Sequence, residues 1–105
     1  MKNEGLCPVV TTAKIIGKRW ALIIRHNLLD NPLGFNELKR RVDGISSKTL
    51  STSLSYLVEK GIVARSVHTN SPIRVEYSLT QKGMDLKPLI EDMRYWGEKW
   101  LLAAE

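Results

Sequence analysis

The sequence predicts a mainly α-helical domain that carries one small β-hairpin, an α+β fold. Two observations support this class: apolar residues recur at helical spacing through most of the chain, and the spacing changes to alternation over about residues 62–80. The chain has 105 residues, of which 43% are hydrophobic. This is the size and composition of one globular domain with a single modest core, so residues 1–105 are predicted to form one domain.

Two helices are predicted at the start of the chain. Pro8 suits the first turn of a helix, because its missing N–H has no helical acceptor there, and this places Cys7 near the N-cap. The first helix is predicted over about residues 8–16, and it ends at Gly17. A second helix over residues 18–29 carries apolar residues at helical spacing, and the turn sequence DNPLG ends it.

The next two helices are joined by a tight turn. The segment FNELKRRV, residues 35–42, has helical spacing, and the DG pair after it breaks the helix. Ser46 is a favourable N-cap, while Ile45 and Leu50 occupy the two positions of a hydrophobic staple. A helix is therefore predicted over about residues 46–60, with a glycine after it as the stop. Two helices joined in this way form a helix-turn-helix.

The helix over residues 46–60 contains many residues that favour helices poorly. Its first part, SSKTLSTSLS, has seven hydroxyl residues, which compete with the helical backbone for hydrogen bonds. Leu50, Leu54 and Leu57 nevertheless form an apolar stripe, and the opposite face carries small hydroxyl side chains and Lys48. A slim face of this kind suits the DNA major groove, where such groups bond base edges and phosphates. The alternative is a solvated helix face that happens to be rich in serine.

A β-hairpin is predicted over about residues 62–80. Two stretches rich in β-branched and aromatic residues flank the loop-like segment TNSPIR, and a hairpin directly after a helix-turn-helix is a wing. Arg74 on this wing, with Arg65 and His68 on the strand leading to it, is expected to reach the minor groove or its phosphates. For Arg65, a cap or a salt bridge to the core helices is an equal alternative.

The charge distribution favours a polyanionic partner. The net charge is +5, but residues 14–74 carry eleven Lys or Arg and four Asp or Glu, a net charge of +7. Residues 75–105 carry four basic and six acidic residues, a net charge of −2. The cationic surface therefore belongs to the helix-turn-helix and the wing, although an ordinary basic surface is the alternative. The candidate DNA-binding residues are Ser46, Ser47, Lys48, Thr49, Ser51, Thr52, Ser55 and Arg74.

A last helix is predicted over about residues 81–102, capped by Thr80. Pro88 lies inside this span, where it is expected to kink or restart the helix. The apolar stripe of this helix includes Trp96 and Trp100, one turn apart, and is larger than so small a core easily covers. These residues are therefore expected to pair two chains, with a place in the core of a monomer as the alternative. The candidate dimer contacts are Val9, Met93, Trp96, Trp100 and Leu101.

The composition argues against several other classes of protein. The chain has no apolar run near the roughly 20 residues that cross a bilayer and no signal-peptide core at its start, so a cytoplasmic protein is expected. The single cysteine, Cys7, excludes an intrachain disulfide. Cys7, His26 and His68 lie on three separate elements without ligand spacing. We therefore predict no metal, no cofactor and no Cys-His nucleophile, and the chain is not expected to be an enzyme.

Several blocks of the sequence, taken in order, resemble one family. They are CP at residues 7 and 8, IIGKRW (15–20), FNELKRRVDGISSKTLSTSL (35–54), LVEKGIVAR (57–65), VEYSLTQKG (75–83) and Trp96. On these blocks the chain is similar to the HxlR-type winged helix-turn-helix transcriptional regulators, which are relatives of the MarR type.

The resemblance implies a fold, a partner and an assembly. It implies a homodimer that pairs through N-terminal and C-terminal helices, here about residues 8–16 and 81–102. It also implies that each chain places a recognition helix, residues 46–60, and a wing, residues 68–75, on half of a palindromic site in double-stranded DNA.

Some members of that family sense oxidants or electrophiles through a cysteine at the position of Cys7. A helix N-terminus stabilises a thiolate, which favours such a role, although no second cysteine offers an intramolecular resolving partner. A small cysteine that fills a dimer contact is the alternative. The predicted function is thus a sequence-specific DNA-binding transcriptional regulator, and a winged helix that contacts protein or RNA is the competing hypothesis.

Overall fold

A computed structural model describes residues 7–102 and contains six helices and one two-stranded antiparallel sheet in that range. The predicted winged helix-turn-helix fold is confirmed. Residues 1–6 and 103–105 of the predicted domain lie outside the described residues. In chain order the elements are α1 Pro8–Ile16, α2 Arg19–Asn27, α3 Phe35–Arg41, α4 Ser47–Glu59, β1 Val63–His68, β2 Arg74–Leu79, α5 Gln81–Met84 and α6 Lys87–Trp100.

The first two helices have the predicted boundaries to within two residues. Cys7 is the N-cap of α1, Pro8 lies in its first turn, and Gly17 is its C-cap. Helix α2 begins one residue later and ends two residues earlier than predicted, because Leu28 is its C-cap. α1 buries none of its residues, whereas α2 contributes Ile24 to the core, where it is fully buried.

The helix-turn-helix consists of α3 and α4. Gly44 in the turn between them has a φ of +81°, a left-handed conformation that residues with a Cβ rarely adopt. Ile45 and Leu50, the predicted staple, are 4% and 0% exposed. Gly61 follows α4 with a φ of +76°, as expected for a residue that ends a helix. The core on which these helices pack consists of Ala21, Ile24, Leu28, Leu33, Leu38, Val42, Ile45, Leu50, Leu54, Leu57, Ile62 and Val63.

The wing is attached to the helices by a second backbone pairing that the sequence did not predict. β1 and β2 pair in a register that places Val63 opposite Leu79 and His68 opposite Arg74. Leu33, from the predicted turn DNPLG, exchanges two backbone hydrogen bonds with Tyr77 of β2, with N–O distances of 3.0 and 2.8 Å. This bridge ties β2 to the segment before α3 and so fixes the wing against the helix-turn-helix.

The helix predicted over residues 81–102, with a kink or a restart at Pro88, is two separate helices in the structure. Thr80 caps α5 by accepting a hydrogen bond from the Gly83 N–H at 3.1 Å, but α5 ends at Met84. Helix α6 then begins with Pro88 in its first turn, where a missing N–H costs no helical hydrogen bond. Pro88 therefore restarts the helix, which was one of its two predicted effects.

Arg25 joins α2 to the end of α5. It is 5% exposed, its Nε donates to the Gly83 carbonyl at 2.8 Å, and its Nη2 donates to the Met84 carbonyl at 3.3 Å. Loss of hydration on burial lowers the pKa of the guanidinium. The last carbonyls of a helix lack partners within the helix, so this arginine completes the hydrogen bonding of α5. No helix within residues 7–102 is long and apolar enough to cross a membrane.

We expect Gly83→Ala to lower the free energy of unfolding by about 1–3 kcal/mol. A Cβ at this position would clash with the Ile62 carbonyl oxygen, so α5 must move away from the segment between α4 and β1. Urea unfolding followed by circular dichroism measures the change. Gly97→Ala is the matched control, because a Cβ there meets no atom within 4 Å. Equal stability of the two variants would contradict the proposed close packing at Gly83.

Candidate nucleic-acid interface

The outward face of α4 is open and carries small side chains. Ser47, Lys48, Ser51, Thr52 and Ser55 are all exposed, while the leucine stripe on the opposite face is buried in the core. This separation follows from the helical repeat, which places residues three and four apart on the same side. The predicted contact residues of this helix, apart from Ser46 and Thr49, therefore share one accessible surface.

Ser46 and Thr49 also form the start of α4. The Ser46 hydroxyl accepts a hydrogen bond from the Thr49 N–H at 3.1 Å and donates to the Thr49 hydroxyl at 3.0 Å. Such an N-cap satisfies one of the amide groups left free at a helix start. Thr49 is only half-exposed. Of the eight predicted DNA contacts, these two thus have a structural role in addition to any role in binding.

Arg74 lies at the start of β2, whereas the sequence predicted that it ends the loop-like segment TNSPIR, residues 69–74. Its Nη2 is 3.1 Å from the Glu76 carboxylate, and the other oxygen of that carboxylate is 3.0 Å from His68 Nε2. The Arg74 side chain is 62% exposed, so the ion pair is a surface one. Glu76 therefore binds two of the three wing residues that were expected to contact DNA, a role that was not predicted from the sequence.

Arg65 lies beside the recognition surface. It is exposed and lines a cleft of 290 Å³ together with Ser55 and Glu59 of α4 and Tyr77 of β2. Within residues 7–102, no ion pair involves Arg65. The alternative of a salt bridge to the core helices is therefore wrong, and Arg65 faces the same cleft as the C-terminal half of α4.

Two further lysines flank α4 and were not predicted. The Lys18 ammonium lies 5.0 Å and the Lys60 ammonium 5.6 Å from the centre of the Tyr56 ring. Both distances are within the range of cation–π attraction. The four-residue spacing of Tyr56 and Lys60 indicates their contact from sequence, whereas Lys18 precedes α2 and reaches Tyr56 only through the fold.

The predicted dimer contacts are exposed in the single chain. Val9 is 75% exposed, Met93 40%, Trp96 57%, Trp100 64% and Leu101 69%. The alternative that the α6 residues form part of a monomer core is therefore wrong. A groove of 350 Å³ between α1 and Leu89 of α6 continues this surface and is almost wholly apolar. Together these residues form a large apolar surface that is left exposed within residues 7–102.

Cys7 is exposed at the N-cap of α1. Its side chain makes no capping hydrogen bond, so the thiol is accessible from solvent. Across residues 7–102, no group of three His, Cys, Asp or Glu side chains is arranged to hold a metal ion.

Comparison with known proteins identifies the family. The HxlR-like helix-turn-helix family matches residues 15–105 of the chain. The chain belongs to the HxlR family. The HTH-type transcriptional regulator YdeP of Bacillus subtilis is 41% identical to it over 97 residues, which cover 92% of this chain and 75% of YdeP.

Solved structures agree with this assignment. The reduced form of the transcriptional regulator YodB from B. subtilis has a TM-score of 0.87 and 34% identity, covering 95% of this chain and 99% of YodB. The redox regulator HypR in its oxidised form has a TM-score of 0.78 and 39% identity, covering 89% and 96% of the two chains. YodB is also known in diamide-treated and quinone-bound forms, with TM-scores of 0.79 and 0.78.

This HxlR-family chain is a transcriptional regulator of the HxlR and MarR type. The prediction of a regulator that is not an enzyme is confirmed, because its homologues and structural neighbours are regulators.

We expect Ser46→Ala to lower the free energy of unfolding by about 1 kcal/mol, because the Thr49 N–H loses its acceptor. Thermal or urea unfolding measures this loss. Ser51→Ala, on the exposed face of the same helix, is the control and should change the stability by less than about 0.5 kcal/mol. If the two variants are equally stable, Ser46 is not a significant cap.

Proposed function

We propose that the chain binds double-stranded DNA sequence-specifically, as a homodimer on a palindromic operator. The observation that carries this proposal is the exposed face of α4, where small hydroxyl groups and Lys48 stand opposite a buried leucine stripe. A helix with so slim a face fits a major groove about 12 Å wide. Hydroxyl groups both donate and accept hydrogen bonds, so they can bond base edges as well as phosphates.

The wing supplies the second contact in this proposal. Arg74 and His68 share the Glu76 carboxylate in the free protein. On DNA, a phosphate would replace that carboxylate as the partner of Arg74, so binding exchanges one ion pair for another. The expected contribution of Arg74 to affinity is therefore smaller than that of an unpaired arginine. Glu76→Gln removes the competing charge and should tighten binding.

The homodimer is supported by the exposed apolar surface of α1 and α6. Trp96 and Trp100 expose more than half of their area, and soluble monomers rarely expose contiguous apolar patches of this kind. A two-fold dimer presents two copies of α4, which match the two half-sites of an inverted repeat.

The competing function is a winged helix that contacts protein or RNA. It predicts weak salt dependence or a preference for structured single strands. A duplex-binding regulator instead loses affinity steeply as salt rises, because each neutralised phosphate releases counterions. The net charge of +7 over residues 14–74 favours a nucleic acid over a protein partner, and the salt dependence and strand preference distinguish duplex DNA from RNA.

Selection of bound fragments from random duplex DNA tests the proposal, and we expect an inverted repeat to emerge. On that repeat, Arg74→Ala should reduce the slope of log K against log salt by about 2 per dimer, one phosphate for each chain. Lys48→Ala should do the same if Lys48 binds phosphate, or cost about 1–3 kcal/mol per half-site and relax specificity if it binds guanine.

Two controls accompany the selection. Lys14→Ala removes an exposed cation on α1, a helix that carries none of the predicted DNA contacts, and should leave the slope unchanged. Trp96→Glu should give a folded monomer by sedimentation and lose tight binding to the repeat. A selection that returns no repeat, or unchanged binding by monomeric Trp96→Glu, contradicts the proposal.

We further propose that Cys7 makes binding responsive to oxidants or electrophiles. The thiol is exposed at a helix N-terminus. Among the relatives, HypR is named a redox regulator, and YodB has been solved in a quinone-bound form. With one cysteine per chain, diamide oxidises two Cys7 thiols from two chains to one disulfide and is itself reduced to the hydrazine. A quinone instead forms a bond to the sulfur, and the thiol proton passes to the quinone oxygen.

Diamide or benzoquinone is expected to change the affinity for the selected operator by at least tenfold in the wild-type chain and to leave Cys7→Ser unaffected. Mass spectrometry distinguishes the disulfide from the quinone adduct. Modified protein whose affinity is unchanged would rule out the sensor and favour a packing role for Cys7.

A further inference from the structure

Two wing side chains share a single carboxylate next to the hairpin loop. His68 is the last residue of β1, and Arg74, the first residue of β2, lies directly opposite it in the register of the hairpin. Glu76 Oε1 is 3.0 Å from His68 Nε2, and Glu76 Oε2 is 3.1 Å from Arg74 Nη2. Because residues two apart on a strand point to the same side, all three side chains lie on one face of the wing. We call His68, Glu76 and Arg74 the wing triad.

The wing triad is accessible from solvent. The side chains of His68 and Arg74 are more exposed than that of Glu76, so the carboxylate is the most buried of the three groups. The neighbouring element is α3, where Glu37 lines a cleft of 330 Å³ together with Arg74 and Glu76. One oxygen of the Glu37 carboxylate accepts a hydrogen bond from the Gly34 N–H at 3.1 Å. Within residues 7–102, no ion pair links Glu37 to the triad.

The charge of the triad depends on the protonation of His68. With a neutral imidazole, Arg74 and Glu76 cancel and the triad has no net charge. Histidine is the side chain whose charge ordinarily changes between pH 5 and 8, and a protonated His68 gives the triad a net charge of +1. Two cations then share one carboxylate, so Glu76 holds Arg74 less strongly than it does beside a neutral imidazole.

We propose that the wing triad makes DNA binding pH-dependent. When His68 is protonated, it takes over the Glu76 carboxylate, and Arg74 is released to pair with a DNA phosphate. When His68 loses its proton, Arg74 returns to Glu76 and the positive charge of the wing falls by one. The affinity for DNA is therefore higher at low pH and decreases as the pH rises through the range in which histidine titrates. This inference rests on the proposed function, because the phosphate belongs to the bound duplex.

Proton binding and DNA binding must strengthen each other. The coupling between two ligands is reciprocal, so if protonation of His68 favours the duplex, the duplex favours protonation of His68 by the same factor. Binding near the middle of the titration range is therefore accompanied by the uptake of a fraction of a proton by each chain. Calorimetry in two buffers of different ionisation enthalpy, such as phosphate and Tris, measures this uptake directly.

The affinity for the selected inverted repeat between pH 8.0 and pH 5.5, at fixed ionic strength and with Cys7 reduced, tests the proposal. We expect binding to tighten by about threefold per chain, or about tenfold per dimer, as a surface ion pair permits. His68→Asn should bind with less than about a twofold change over the same range and should take up fewer protons. His26→Asn is the matched control, because it removes the other histidine of the chain, on α2, and should keep the full pH dependence.

Glu76→Gln separates the release of Arg74 from the added charge of His68. Without the carboxylate, Arg74 is free at every pH, so this variant at pH 8.0 should bind about as tightly as the wild-type chain at pH 5.5. Its remaining pH dependence should be smaller than that of the wild type. If Glu76→Gln keeps the whole pH dependence, the carboxylate is not part of the switch and the proposal fails.

NMR of the free chain tests the triad without DNA. The ring carbons of His68, the side-chain carboxyl carbon of Glu76 and Nε of Arg74 should shift together as the pH changes, and His68→Asn should abolish the shift of Arg74. A titration of His68 that leaves Arg74 unmoved would overturn the switch, as would equal pH dependence of operator binding in the wild type and His68→Asn. A chain that binds no duplex at any pH rejects the proposed DNA-binding function, while the free-chain titration still decides whether His68 controls Arg74.

Discussion

The surface proposed to meet DNA depends on the burial of one leucine stripe. Leu50, Leu54 and Leu57 of α4 are at most 2% exposed, and burying a leucine side chain contributes about 1.5–3 kcal/mol. Each serine or threonine in a helix costs no more than about 0.7 kcal/mol relative to alanine. Three buried leucines therefore outweigh the six hydroxyl residues of α4. The buried face of α4 therefore stabilises the helix, and the exposed face can carry side chains that suit the proposed contact with DNA.

Features whose causes lie within a few residues were predictable from sequence. The cap at Ser46, the staple of Ile45 and Leu50, and the end of α4 at a glycine all depend on local backbone chemistry. The break between α5 and α6 was predictable only in part. Pro88 signals a disturbance, but the close approach of Gly83 to Ile62 is a contact made by the tertiary fold.

Features that join distant parts of the chain were not predictable from one sequence. The bridge of Leu33 to Tyr77 comes from a segment with the composition of a turn. Glu76 looks like one of the polar residues of an alternating strand, and nothing in that pattern indicates that it holds Arg74. The exposed apolar stripe of α6 was an exception and could be predicted. The sequence shows that this stripe is larger than so small a core can cover.

The hydrogen bonds of Arg25 depend on the position of the α5 backbone and not on the α5 side chains. Both of its acceptors, at Gly83 and Met84, are main-chain carbonyls, so the Met84 side chain takes no part in these hydrogen bonds. Substitution at Met84 preserves the acceptor, whereas a displacement of the α5 backbone removes it. The residue at position 84 can therefore change during evolution without a compensating change at Arg25. Covariation between pairs of positions would not reveal the contact, although it links two elements 58 residues apart.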